Sequence, residues 1–456
     1  MKKKISSIAL ILLFSAFSIL ACSAGDNSSD DECEYPDSDD ETPDVNDDET
    51  NDDLDDDLDD DLNDDSNDDS SDDDLGGDEF QISGDFQGSQ AHPAVAMNSS
   101  GEFIVAWESE DDQDGQWAGI FARKYDSTGT PLSDEFQVNT EFLGNQTSPT
   151  VGIDDEGNFI IAWEGGFYNS DGDEYGIMAK RYLSNASPIG DEFVVNTIWE
   201  SSQTDPVLSM TGEGMFIVIW LSYVEYDDRF HHDLHGQLFR ANGSRIGSEF
   251  SIAEDLTYSL VTSVSFNSNK DFIACWEEPI DINFCQFFNG TGNPQGDAFY
   301  IVEEEWPHYT KPAINNNGDS ILVYQDDRPG SWSNSIFAQI SYDAENNFWD
   351  PFIVNDYPVD DNFVPSVALN DSGDFIVAWM TDRIDTEDEI GIFAKKMNID
   401  DLTSGSEFHV NSYTFGVQAR PVVGIDANGG FVVVWQSKGQ DGYGEGIFGK
   451  LYATNG

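Results

Sequence analysis

From residue 79 onward, short apolar runs alternate with polar, glycine-containing turns, and one arrangement of these runs recurs along the chain. The arrangement is Glu-Phe-x-Val-Asn, then Pro-x-Val, then Gly-x-Phe-Ile-Val-Ala-Trp, and finally Gly-Ile-Phe-Ala-Lys. The aromatic residue that closes the third piece occurs seven times: Trp107, Trp163, Trp220, Trp276, Tyr324, Trp379 and Trp435. The phenylalanine that opens each repeat occurs equally often: Phe80, Phe136, Phe193, Phe250, Phe299, Phe352 and Phe408. Each piece is rich in β-branched and aromatic residues and bounded by Gly, Asn, Asp or Pro, which predicts four β-strands per repeat.

The strands of a repeat differ in their apolar faces. Residues 103–107 are apolar on both alternating faces, so this second strand should be packed on both sides. Residues 120–125 include an arginine and a lysine, which predicts that the third strand lies nearer solvent.

Small sheets that are apolar on both faces bury them by stacking around an axis, as in a propeller, or along a line, as in a solenoid. The chain ends decide between these two architectures. The repeat region begins with an opening strand, residues 79–83, and ends after the third strand of the seventh repeat, residues 446–452. Pairing the first strand with the last repeat closes a ring and removes two open edges. The sequence therefore predicts an all-β fold over residues 79–456, a seven-bladed β-propeller of four-stranded blades closed by the N-terminal strand.

The first 78 residues have a different character. Residues 1–22 combine a basic start with an apolar run too short to span a bilayer, which indicates a signal peptide. Their last four residues, Ile-Leu-Ala-Cys, resemble the lipobox of bacterial lipoproteins. The resemblance implies that Cys22 carries a lipid, and that the protein is exported and anchored to the outer membrane or cell surface. Residues 23–78 contain 29 acidic and no basic residues, which predicts a disordered tether.

Charge limits the partners of the folded part. The chain carries a net charge of −71, and from residue 79 onward it has 61 acidic and 16 basic residues, a net charge of −45. Such a domain repels nucleic acid and other anionic polymers. Besides the membrane, the expected partner is a glycan or a protein, and the expected state is a monomer.

The repeats also resemble the β-propeller repeats of large bacterial surface and adhesin-like proteins. The residues that carry this resemblance are Gly-x-Phe-Ile-Val-Ala-Trp at 101–107 and Asp-x-x-Asp-Gly at 111–115. The resemblance implies the architecture and a surface location, and it leaves the activity open because propellers host many functions.

Loops that join consecutive blades, and loops that join second to third strands, fall on one rim of such a fold, where ligand sites are commonly placed. Each repeat places an aromatic residue near one register in the first kind of loop: Phe86, Phe142, Trp199, Tyr258, Trp306, Tyr357 and Phe415. These rings predict either a binding rim that stacks on sugars or grips a protein, or wedges between neighbouring blades.

Metal binding is a separate hypothesis. Oxygen-bearing side chains recur in the loops between second and third strands: Asp111, Asp112, Asp114, Asn169, Asp171 and Asp173. They predict either a calcium site, calcium being the one candidate cofactor, or a solvated acidic face. Five of the six histidines are assigned to rim loops, and His231 and His235 are a weaker metal candidate because no helix aligns them.

Catalytic motifs are not recognisable in the sequence. It shows no nucleophile elbow, no metalloprotease helix motif and no phosphate-binding loop, and arginines such as Arg328, Arg383 and Arg420 are scattered. Cys275 and Cys285 lie in one predicted hairpin and form either a disulfide or two buried thiols. The primary functional hypothesis is a non-enzymatic, surface-anchored binding module for glycan or protein. The alternatives are a glycan-active hydrolase using paired carboxylates and a structural spacer of the envelope.

Overall fold

The structure is a computed structural model. It describes residues 77–84, 88–110, 117–140, 144–167, 174–198, 202–226, 229–256, 262–278, 282–301, 307–327, 333–342, 347–357, 361–382 and 390–454. The predicted signal peptide with Cys22, and the predicted tether up to residue 76, lie outside the described residues. In the described ranges, no helix has the length and hydrophobicity needed to cross a membrane.

The described residues form 28 strands in seven antiparallel sheets of four, which confirms the predicted propeller. The first strands of the blades are β2 (Gln90–Met97), β6 (Gln146–Ile153), β10 (Gln203–Met210), β14 (Thr262–Phe266), β18 (His308–Ile314), β22 (Asn362–Leu369) and β26 (Gln418–Ile425). The second strands are β3 (Phe103–Ser109), β7 (Phe159–Phe167), β11 (Phe216–Tyr226), β15 (Asp271–Glu278), β19 (Ser320–Asp327), β23 (Asp374–Thr381) and β27 (Phe431–Lys438). The third strands are β4 (Gly119–Tyr125), β8 (Glu174–Tyr182), β12 (Arg229–Phe239), β16 (Ile282–Asn289), β20 (Asn334–Ser341), β24 (Gly391–Asn398) and β28 (Glu445–Tyr452). The outer strands are β1 (Phe80–Gln81), β5 (Phe136–Gln137), β9 (Phe193–Val194), β13 (Arg245–Leu256), β17 (Phe299–Tyr300), β21 (Phe352–Ile353) and β25 (Phe408–His409).

Blades 1 to 6 run in chain order from β2–β5 to β22–β25, and blade 7 combines β26–β28 with β1. The first strands of neighbouring blades contact one another around a complete circle, from β2 through β6 to β26 and back to β2. They therefore surround the axis. The second strands supply the core between blades: Trp107, Trp163 and Trp435 are fully buried, as the apolar faces of these strands predict.

The Glu-Phe-x-Val-Asn piece fixes the outer edge of the blades that carry it. Its asparagine accepts the backbone N–H of the third strand, as when Asn139 Oδ1 accepts from Ile120 at 2.9 Å. Its glutamate accepts a backbone N–H from the preceding blade, as when Glu192 Oε2 accepts from Thr140 at 2.8 Å. One short motif thus completes a sheet and links it to its neighbour.

Ring closure follows the same rule. Strand β1 pairs with β28, with Phe80 opposite Gly449, as predicted from the order of the strands. Ser83 stands at the motif's asparagine position, and its Oγ accepts the N–H of Ile447 at 3.0 Å. Glu79 Oε2 accepts the N–H of Ser412 at 2.7 Å, the contact its counterparts make elsewhere.

Two details of the blades differ from, or complete, the sequence prediction. The third strand of blade 1 is not near solvent at Lys124, which is 1% exposed, so that expectation is wrong. Its ammonium donates to Glu102 Oε2 at 2.9 Å and to two backbone carbonyls, and these acceptors compensate its burial. Cys275 and Cys285 face each other on β15 and β16 and form a disulfide.

Candidate functional site on the propeller axis

The predicted aromatic rim is only partly described. Phe86, Phe142, Trp199, Tyr258 and Trp306 lie outside the described residues. Tyr357 and Phe415 are 49% and 68% exposed, so these two rings face solvent and do not fill wedges between blades. Phe415 contacts Tyr413, with 5.9 Å between ring centroids.

The predicted metal residues have a similar outcome. The calcium candidates Asp111, Asp112, Asp114, Asn169, Asp171 and Asp173 lie outside the described residues. The described portion contains no group of three or more His, Cys, Asp or Glu side chains that could hold a metal.

The histidines are in strands, which corrects their assignment to rim loops. His231 and His235 both belong to β12. Four residues along one strand separate them by about 13 Å, too far to bind one ion together. Each has its own carboxylate, since His231 Nδ1 lies 2.6 Å from Asp255 and His235 Nδ1 lies 3.8 Å from Glu249.

A different group of side chains meets at the axis, and its position depends on a bulge in the first strands. Six of the seven described first strands contain a non-glycine residue with φ near +50°: His92, Ser148, Asp205, Tyr309, Val364 and Arg420. The pairing with the second strand shifts register at these positions. In five blades the next residue is proline, which needs no hydrogen-bond acceptor at a bulge. This explains the Pro-x-Val piece of the repeat.

Five of these six bulges, all but that at Tyr309, are held by a side chain of the preceding blade. The acceptor is the residue directly after the buried aromatic of the second strand. Glu108 Oε2 accepts the N–H of Ser148 at 3.1 Å, and Glu164 Oε2 accepts that of Asp205 at 3.3 Å. Gln436 Oε1 accepts the N–H of His92 at 3.3 Å across the closure seam. The acceptors therefore fix the backbone of the bulges, and the bulge side chains remain available for other contacts.

Two pairs of a carboxylate and an imidazole lie beside these bulges, one in blade 1 and one between blades 4 and 5. Glu108 and Glu277 are buried, at 4% and 7% exposure. The His92 imidazole lies against Glu108 in blade 1, and His308 Nδ1 lies 2.6 Å from Glu277 Oε1 where blade 5 meets blade 4. The charge of His92 in blade 1 also acts on the carboxyl group of Asp205 in blade 3.

The environment shifts the acid–base behaviour of two of these carboxyls. Burial raises the pKa of Glu164 to about 8, and the charge of Asp205 acts in the same direction. Burial also raises the pKa of Asp205, opposed in part by the charges of His232 and His92. The Asp205 side chain is exposed to solvent, which weakens this effect. Glu164 therefore carries a proton at neutral pH, and it lies near the carboxyl group of Asp205.

Cationic groups lie on blades 5 and 7. Burial lowers the pKa of Lys311 to about 8, and the charge of Arg420 acts in the same direction. Tyr309 also interacts electrostatically with Arg420, although blade 6 separates their blades. In the described ranges, neither the Lys311 ammonium nor the Arg420 guanidinium has a hydrogen-bond or ion-pair partner.

We call this set the axial cluster: His92, Glu108, Glu164, Asp205, Glu277, His308, Tyr309, Lys311 and Arg420. Sequence reasoning did not find it. The available signal was that the residue before the repeat's proline and the residue after its tryptophan vary from blade to blade, while their neighbours recur.

Comparisons with known proteins bear on the fold. No protein-family model matches the chain, and no curated protein matches it. Among solved structures, an ulvan lyase, which is a polysaccharide lyase, has a TM-score of 0.53 and 12% identity, covering 83% of this chain and 96% of that chain. A protein of unknown function from Dyadobacter fermentans has a TM-score of 0.49 and 12% identity, covering 82% and 98%. The NanB sialidase from Streptococcus pneumoniae has a TM-score of 0.45 and 10% identity, covering 84% and 71%. At such identities, the similarity is one of fold.

Proposed function

We propose that the protein is a glycan-binding module and that the axial cluster is its binding site. The observation that supports this most is that hydrogen-bonding side chains of non-adjacent blades meet at the axis, with Lys311 and Arg420 unpaired among the described residues. Sugars are recognised by several polar side chains converging on one concave site. The ulvan lyase, which resembles this chain in fold, acts on a polysaccharide, and this adds support to a saccharide ligand.

Titration calorimetry of the purified protein against a panel of oligosaccharides tests the proposal. Asp205→Asn keeps the size of the side chain and removes its charge, so we expect it to weaken binding about 10-fold or more. Phe415→Ala removes an exposed ring of the predicted aromatic rim and serves as the matched control. Loss of binding in Phe415→Ala, with Asp205→Asn unchanged, would move the site from the axis to the rim. No binding by any saccharide would refute the proposal.

A glycan-active enzyme is the second candidate, and a specific observation favours it. Glu164 has a pKa of about 8 and accepts the backbone N–H of Asp205, so a protonated carboxylic acid adjoins a second carboxyl. Paired carboxyls of this kind serve as acid and base in glycoside hydrolysis. Release of reducing ends from a polysaccharide panel, abolished in Glu164→Gln, would support catalysis. Binding without any release of reducing ends would leave the non-enzymatic function.

We also propose that a lipid on Cys22 anchors this module to the membrane and that the acidic segment 23–78 is the tether. The sequence pattern at Cys22 is the support for this proposal. Mass spectrometry of the protein isolated from its native membrane should find a diacylated N-terminal cysteine. A Cys22→Ala variant that stays in the membrane fraction would contradict lipid anchoring.

A further inference from the structure

Lys311 is partly buried, and its partners differ from those of the buried lysines Lys124 and Lys395. Lys124 Nζ donates to Glu102 and to the backbone carbonyls of Gly157 and Ser184. Lys395 Nζ donates to Asp356 Oδ1 at 2.6 Å and to a backbone carbonyl. The fold thus supplies acceptors to ammonium groups that it encloses. Lys311 has no such acceptor in the described residues, although acidic residues outnumber basic ones almost fourfold from residue 79 onward.

The second unpaired cation is next to it. The Arg420 guanidinium interacts with Lys311 by charge, and its side chain makes no hydrogen bond in the described part of the fold. Like charges repel each other, and partial burial lowers the pKa of both groups because each loses hydration. The arrangement is unfavourable alone, and one oxyanion bound between the two side chains would relieve both effects. A guanidinium can offer such a group two parallel N–H donors, and an ammonium adds a point charge.

We propose that Lys311 and Arg420 form a subsite for an oxyanion, a carboxylate or a sulfate, carried by the glycan. This inference rests on the proposed function and adds the chemical class of the ligand. Tyr309 interacts with the same guanidinium, so its hydroxyl is placed to donate to the oxyanion.

The surroundings limit how much negative charge the ligand carries. Glu108 and Glu445 act by charge on Arg420, and Glu277 acts on Tyr309, so carboxylates flank the two cations. A second anionic group close to the first would meet these carboxylates and the net charge of −45. Sugar hydroxyls, in contrast, can donate to them. The ligand class is therefore a saccharide with isolated anionic groups between neutral sugar units, not a densely charged polyanion.

Three oligosaccharides of one length and backbone test the subsite: one neutral, one with a single carboxylate and one with a single sulfate. We expect the wild type to bind at least one anionic form about 10- to 100-fold more tightly than the neutral form. Lys311→Gln and Arg420→Gln should each remove most of that preference and leave the neutral form unaffected. Lys438→Gln, at an exposed lysine of blade 7, is the matched control and should bind like the wild type.

A second measurement does not depend on saccharide binding. Sodium sulfate and sodium acetate should raise the melting temperature of the wild type more than that of the Lys311→Gln/Arg420→Gln variant, by mass action. The double variant should fold, because neither side chain has a partner to lose. Equal binding of neutral and anionic saccharides, with equal salt response of both proteins, would overturn the subsite while glycan binding stands. If no saccharide binds, the proposed function fails, and a salt response confined to the wild type would still support an oxyanion site.

Discussion

Closure of the propeller depends on a very short strand, and the side chain just after it should contribute much of the free energy that holds the ring closed. Strand β1 has two paired residues, and Ile82 follows it with its N–H donating to Ile447 O at 2.8 Å. Its side chain is fully buried in a cluster that includes Trp107 and Val434. We therefore predict that Ile82→Ala strongly destabilises the fold.

The magnitude follows from burial. Replacing a fully buried isoleucine by alanine costs about 2–5 kcal/mol, from lost transfer free energy and from the cavity that remains. Ile82 is 0% exposed, so we expect about 3–4 kcal/mol, a large fraction of the roughly 5–15 kcal/mol that stabilises a typical protein. Relaxation of the neighbouring blade into the cavity would bring the value toward the lower end.

Two matched variants isolate the effect of the seam. Ile301 occupies the same position after β17 and is 5% exposed. Unlike Ile82, it adjoins a strand that directly follows the rest of its own blade in sequence. Ile353 lies on the equivalent strand β21 and is 40% exposed, so Ile353→Ala should cost less than about 1 kcal/mol. Ile301→Ala should destabilise about as much as Ile82→Ala, because both remove buried packing. Only Ile82→Ala should also raise proteolysis near residues 77–84, because only that strand is held by non-local contacts alone.

The assay is urea unfolding followed by tryptophan fluorescence, with limited proteolysis of the folded protein. A shift of the urea midpoint for Ile82→Ala no larger than that for Ile353→Ala would refute the reasoning, because β1 would then not be closing the ring. Equal proteolysis of Ile82→Ala and Ile301→Ala would refute the specific role of the seam.

Three further predictions concern charged groups. The pKa of Lys311 is lowered to about 8 and its positive charge is lost above that pH, so affinity for an anionic saccharide should fall several-fold between pH 7 and pH 9; an affinity independent of pH would contradict this. Folded Glu164 keeps its proton up to about pH 8 while an ordinary carboxyl loses it near 4.5, so wild-type stability should decrease as pH rises between these values. Glu164→Gln should therefore raise the melting temperature at pH 9 and not at pH 4, by an amount worth about 1–2 kcal/mol with channel water allowed for; an equal effect at both pH values would exclude the shifted carboxyl as the cause. Lys124→Met removes the donor of three hydrogen bonds, of which only the one to Gly157 O is fully buried, and should cost about 1–3 kcal/mol in urea unfolding, while Lys438→Met at an exposed site should cost little; similar costs for both would show that the hydrogen bonds of Lys124 add nothing.

The architecture could be predicted because the information for it is local and repeated. Every strand of a blade pairs with its neighbour in sequence, and the exception, β1 with β28, follows from the order in which strand types begin and end. The burial of Lys124 could not be predicted in the same way. A lysine in a strand usually indicates solvent, and its acceptors Gly157 and Ser184 are supplied by the next blade.

The axial cluster could not be predicted from the sequence for a different reason. Its members are distant in sequence, from His92 in blade 1 to Arg420 in blade 7. Six of the seven blades contribute between one and three residues, and an isolated arginine such as Arg420 resembles any surface arginine. Only closure of the ring brings Arg420 near Tyr309 and Glu108.

The bulges separate the stability of the axis from its chemistry. The acceptor after the buried aromatic binds the backbone of the next blade, so replacing Glu108 or Gln325 should disturb the position of a neighbouring strand. The bulge side chains do not take part in that hydrogen bond, and residues as different as Val364 and Arg420 occupy equivalent sites. Substitutions at the bulge should therefore change which ligand binds with little effect on folding. In this protein, that freedom allows the cation Arg420 on blade 7, which interacts by charge with the cation Lys311 on blade 5, in an otherwise acidic domain.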